Sequence, residues 1–110
     1  MSKVRVYSAY AIEACRLFGG LIQLGRKNKK WTAQDLADRA GITRLTLHKI
    51  EQGEMSCSIG LFFEVAALVG VSLYDMGEQS LSKQLGRVDD KLALLPKSIR
   101  QSKKVVDDEF

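Results

Sequence analysis

Trp31-Thr-Ala-Gln-Asp-Leu-Ala-Asp-Arg-Ala-Gly-Ile-Thr-Arg-Leu-Thr-Leu-His-Lys-Ile-Glu-Gln-Gly53 is the stretch that decides the fold. Thr32-Ala33-Gln34-Asp35 is a capping-box pattern, with an acid three residues into the helix that it starts. That helix carries Leu36, Ala37 and Ala40 on one face, and Gly41 supplies a left-handed stop. Two residues later Thr43 caps a second helix, Arg44 to Gln52, with Leu47 and Ile50 inward and Gly53 ending it. Two short helices joined by a three- to four-residue turn containing Gly form a helix-turn-helix unit. A helix fits the major groove of B-DNA. Its first turns can touch base edges while the preceding helix rests on the backbone.

The residues left facing outward suit that chemistry. Arg44, Leu45, Thr46, His48 and Lys49 on the second helix are the candidate base contacts. Arg and Lys are the usual readers of guanine, and an apolar side chain can meet a thymine methyl. Lys27, Lys29, Lys30, Thr32, Gln34, Thr43, Gln52, Ser56 and Ser58 are the candidate phosphate contacts. Ser56 and Ser58 stand at a helix start, where free N–H groups favour an anion. Each has a plainer reading beside it: solvated cations, helix caps, and a surface histidine without an acid–base partner.

Outside this unit the chain continues as helices. From Ser8, the residues Ala11, Ala14, Phe18, Ile22 and Gly25 recur at helical spacing to about Asn28. Leu17, Leu21 and Leu24 lie on a neighbouring face, so this helix is apolar over more than one stripe. A wide core face is the simple explanation; a subunit interface is the sharper one. Ser58 caps a helix from Ile59 to Val69 whose inward face reads as Ile59, Phe62, Ala66 and Val69. Leu61 and Leu68 fall off that face. With a strand-like arm at Val4 and Val6 they form the expected homodimer interface. Ser72 caps a short fifth turn over 73–76. Leu81, Leu85, Val88, Leu92 and Leu95 then suggest one more helix before Pro96, and an acidic end follows. The reading is an all-α, five-helix domain over 9–77. An arm over 1–8 precedes it, and a helical or disordered extension over 78–110 follows.

Composition narrows the function. The chain has 110 residues, 45% hydrophobic and 27% charged, enough to bury one core without staples. Residues 1–30 hold seven Lys/Arg against one acid, which points to a polyanion such as nucleic acid. Two cysteines outside any CxxC pair and one histidine make no metal-ligand set. Glycine motifs for nucleotides are absent, since Gly19-Gly20 and Gly25 fall inside a helix. No enzyme, cofactor or metal is therefore expected. The longest apolar stretch, 59–71, is too short for a membrane span and contains Glu64. The expected location is cytoplasmic.

The Trp31–Gly53 stretch resembles the Cro/repressor (XRE-type) helix-turn-helix family. Leu36-Ala37, Gly41-Ile42-Thr43 and Ile50-Glu51-x-Gly53 stand in its register, and the likeness runs from Phe18 to Asp75. The resemblance implies an ion pair between Arg26 and Glu51. The family usually opens its first motif helix with Gln, where this chain has Ala33. A narrower likeness, at Glu54-Met-Ser-Cys-Ser-Ile-Gly60, Leu94-Leu-Pro-Lys-Ser-Ile-Arg100 and the closing Val-Val-Asp-Asp-Glu-Phe110, is to HipB-like antitoxins. It implies a homodimer that binds operator DNA, represses its own operon and neutralises a HipA-like serine/threonine kinase toxin. The alternatives are a phage-type or housekeeping repressor without a toxin, and an interaction module that no longer binds DNA.

Overall fold

The computed structural model describes residues 5–72, 74 and 78–99. Its helices are α1 (Ala9–Asn28), α2 (Ala33–Ala40), α3 (Arg44–Glu51), α4 (Ile59–Leu68) and α5 (Glu78–Ala93). No strand occurs among the described residues. The chain divides into two units, Met1–Asp75 and Met76–Phe110. Val4, most of the short turn expected over 73–76 and the acidic end lie outside the described residues.

Each helix of the first unit starts where a side chain satisfies a free backbone N–H. Ser8 accepts from Ala11 at 3.2 Å, Thr43 from Thr46 at 3.1 Å and Ser58 from Leu61 at 3.3 Å. At α2 the box is reciprocal: Asp35 N–H donates to Thr32 Oγ1 at 3.0 Å, and Thr32 N–H to Asp35 Oδ2 at 2.9 Å. The ends are equally local. Gly41 (φ 70°) closes α2 while Ile42 N–H reaches back to Ala37 O at 3.0 Å.

Ile22, Leu36, Leu47, Ile50 and Val65 are fully buried, one or more from each of the four helices. Packing of α1 on α3 depends on missing side chains. A Cβ on Gly19 would lie 2.6 Å from Ile50 O, and one on Gly53 would lie 2.5 Å from Cys15 O. Those two glycines let α1 cross the end of α3 backbone to backbone.

The structure corrects the phase of α4. Phe62, Val65, Ala66 and Val69 are its buried residues, and Ile59 is 70% exposed rather than inward. Leu61 and Leu68, expected to be free, are half-buried against the core. The reason is that α4 lies against both α1 and α2. Its buried arc is wider than a single stripe, and its first turn overhangs the edge.

In the second unit, α5 exposes Leu85, Val88 and Leu92.

Candidate nucleic-acid interface

The second motif helix, α3, is built to be held from behind and free in front. Leu47 and Ile50 anchor it in the core, while Arg44, Leu45, His48 and Lys49 are exposed. Leu45, 63% exposed, sets an apolar tip among these polar and charged side chains. Thr46 is half-buried. Its backbone N–H is capped by Thr43, and the two hydroxyls hydrogen-bond at 3.0 Å.

Behind α3 lies a buried ion pair. Arg26 near the end of α1 and Glu51 at the end of α3 are each less than a tenth exposed. Arg26 Nε donates to Glu51 Oε2 at 2.7 Å, and Nη2 to Oε1 at 3.0 Å, a bidentate fork. Its Nη1 donates to Trp31 O at 3.0 Å, so the same guanidinium ties the α1–α2 turn. The hydrogen bonds to Glu51 raise the Arg26 pKa, against the opposing effect of burial. The pair fixes the angle of α3 against α1.

The basic end of α1 is a second feature. Lys27, Lys29 and Lys30 are all exposed, and Lys30 turns the chain through a left-handed conformation (φ 62°). Trp31 follows this turn, half-buried, with two cations over its ring. Arg39 Cζ stands 4.1 Å from its ring centroid and Lys29 Nζ 5.3 Å from it. Arg39 was not singled out from the sequence, because the stack joins a turn to the far end of α2.

The remaining candidates are placed unequally. Thr32 and Thr43 spend their hydroxyls as caps. Gln34 is exposed and donates to Asp38 at 2.8 Å, and Gln52 is exposed as the C-cap of α3. Ser56 donates to the Glu54 carboxylate at 3.3 Å, so a negative charge sits beside it, and Ser58 caps α4. Ala33 is half-buried and lines a recess of about 440 Å³ with Gln23, Arg44, His48 and Gln52. A long side chain at Ala33 would occupy that space. Gln23, at its edge, was also missed from sequence; nothing in the local pattern of α1 marks it. Val6 is 85% exposed.

This arrangement leaves free a helix face with cations and an apolar tip, held from behind by the core and the ion pair, and the lysines at the end of α1 form a separate exposed cluster. Among the described residues no group of acids, His and Cys could hold a metal ion, and no helix is long and apolar enough to cross a membrane. Residues 22–76 match the family model described as Helix-turn-helix (HTH_3). No curated protein and no solved structure matches the chain.

Proposed function

The chain belongs to the helix-turn-helix family of DNA-binding transcription regulators, and from that premise we propose that it is a sequence-specific, homodimeric repressor that reads operator DNA with α3. The observation that carries the reading is the division of α3 into an anchored face and an exposed one bearing Arg44, Leu45, His48 and Lys49. Arg44, Leu45, Thr46, His48 and Lys49 are assigned to base edges, Thr46 from the helix's first turn. Lys29, Lys30, Gln34 and Gln52 are assigned to phosphates with the capped N-termini at Thr32 and Thr43. Ser56 and Ser58 are weaker candidates, because one faces a carboxylate and the other is already a cap.

Fluorescence anisotropy with DNA from upstream of the gene tests this. Affinity falls steeply with salt as phosphate counterions are released. Arg44→Ala and Lys49→Ala each cost about 1–3 kcal/mol on the operator and much less on random DNA. Equal losses on both DNAs would reassign these residues to phosphates.

The finer reading is an antitoxin that restrains a HipA-like serine/threonine kinase and represses the operon encoding both. Its support is the sequence likeness at Glu54–Gly60 and over 94–110. Co-expression with the product of the adjacent reading frame tests it. Truncation after Leu95 is expected to leave operator binding near normal and to weaken binding of that kinase. An adjacent frame that encodes no kinase, and no copurifying kinase, favours a plain repressor instead.

A further inference from the structure

We propose that the outer face of α1 is the dimer seam, and that it pairs antiparallel with the same helix of a second copy. The inference rests on the homodimer reading above and names the surface and register that carry it.

Tyr10, Ala14, Leu17, Leu21, Leu24 and Asn28 recur at alternating intervals of four and three residues along α1. This is the spacing of a two-helix coiled-coil seam. All six are exposed, Leu17 at 66% and Leu24 at 59%. At 3.6 residues per turn the seam lies well round the helix from the stripe that packs inward through Gly19, Ile22 and Arg26. One stripe serves the core, and the other stays exposed among the described residues. The seam also faces away from the DNA side. Gln23 and Arg26 line the recess beside Arg44 and His48, whereas Leu17 and Leu21 line an apolar groove of about 550 Å³ with Ile59 and Phe63. A helix laid along the seam covers the mouth of that groove and leaves α3 open. Leu61 and Leu68, half-buried against the core, offer less free surface than this.

Charge and size set the direction. Glu13, Gly20 and Lys27 flank the seam on one side, each a heptad apart. In a parallel pair Glu13 would flank Phe18 of the second copy, and Ala14 would face Ala14 across a gap. In an antiparallel pair whose core layers are centred level with position 19, the flank brings Gly20 beside Gly20 of the second copy, and Glu13 meets Lys27 of the second copy at both ends. Ala14 then fits opposite Leu24, Leu17 opposite Leu21 and Tyr10 opposite Asn28. Glu13 is the only acid before Asp35, and among the described residues it has no ion-pair partner in its own chain. A Cβ on Gly20 would meet nothing of its own chain within 4 Å, so the two backbones can approach there.

Light scattering and crosslinking test the seam. The wild type is expected to be a dimer at tens of micromolar. Leu17→Lys/Leu21→Lys, at exposed positions, is expected to keep its helical circular dichroism and to associate at least about a hundredfold more weakly, since lysines would be buried without partners. In a Cys15→Ser/Cys57→Ser background, Gly20→Cys is expected to form an intermolecular disulfide on mild oxidation. Glu13→Cys is expected to crosslink only when mixed with Lys27→Cys. Self-linking of Glu13→Cys overturns the antiparallel register. A dimer that survives both leucine replacements, with no Gly20→Cys crosslink, overturns the seam and leaves the homodimer reading standing. A monomeric wild type overturns both.

Discussion

Cutting the Arg26–Glu51 pair from either side should come close to unfolding the first unit. Arg26 directs Nε and Nη2 to the two Glu51 oxygens at 2.7 and 3.0 Å and Nη1 to Trp31 O at 3.0 Å. In Arg26→Met the Glu51 carboxylate stays at 8% exposure with no cation, and in Glu51→Leu the guanidinium is stranded at 9%. Breaking a buried pair from one side costs about 3–5 kcal/mol, because the remaining charge can neither rehydrate nor pair. A domain this small starts near the low end of about 5–15 kcal/mol. With a urea m-value of roughly 1–1.5 kcal/mol per molar, the midpoint should fall by about 2 M or more. Trp31, the chain's only tryptophan, accepts from Arg26 through its carbonyl and gives a local fluorescence readout beside circular dichroism. Arg26→Met/Glu51→Leu removes both charges, and should recover most of the loss, giving a coupling energy well above that of a surface pair. Single replacements that each cost under about 1 kcal/mol, the range of exposed pairs, would refute the reasoning. They would mean that water reaches the fork.

Two further perturbations test other parts of the frame. Gly53→Ala forces a left-handed conformation (φ 74°) on Ala and drives its Cβ to within 2.5 Å of Cys15 O, whereas Gly70→Ala at φ 80° meets nothing within 4 Å. Gly53→Ala should therefore destabilise the unit by well over the roughly 1–2 kcal/mol of left-handed strain that Gly70→Ala carries, read as a larger fall in melting temperature; equal falls would mean that α1 and α3 can part easily. Asp35 is held below the ordinary carboxyl range, first by the Thr32 backbone N–H and then by the Thr32 side chain. Its contribution to stability is present above its unfolded value of about 4 and is lost as pH falls through the lower folded value. The stability gap between wild type and Asp35→Ala in urea titrations should hold from pH 8 to 5 and shrink below about pH 4. A gap unchanged at pH 2 would show that the carboxylate is not what caps α2.

The sequence is most informative where the physics is local. Ser8, Thr32, Thr43 and Ser58 each satisfy an N–H three residues on, and Gly41 and Gly53 end helices by adopting a conformation costly to other residues. Such features lie within one turn of chain, so spacing alone reveals them. The phase of α4 does not, because Ile59 is an apolar residue at helical spacing whether it points inward or overhangs an edge. Only the positions of α1 and α2 decide that Leu61 and Leu68 are the half-buried ones. Gly19 reads as a weak helix residue until Ile50 O is found 2.6 Å from where its Cβ would stand. The Arg39–Trp31 stack is likewise a tertiary contact between residues that share no helical turn. The Arg26–Glu51 pair was expected from resemblance. Composition would have left both as surface charges.

The same helix explains why these nonlocal features matter for reading DNA. Along its 20 residues α1 presents Arg26 to Glu51 and, on another side, Leu17, Leu21 and Leu24 to solvent. The first contact fixes α3 to α1 through a bidentate fork that tolerates little rotation. On the proposed seam, the second fixes α1 to its copy through a register set by Glu13, Gly20 and Lys27. Two recognition helices are then related through one rigid path, α3 to α1 to α1 to α3, with no loop in series. A dimer that reads two half-sites must hold its helices at a set separation on the duplex. Rigid elements hold such a distance better than loops do. On this view the apolar excess of α1 and the buried charge at its end serve one purpose: the fork sets how each helix meets its groove, and the seam sets how far apart the two grooves must be.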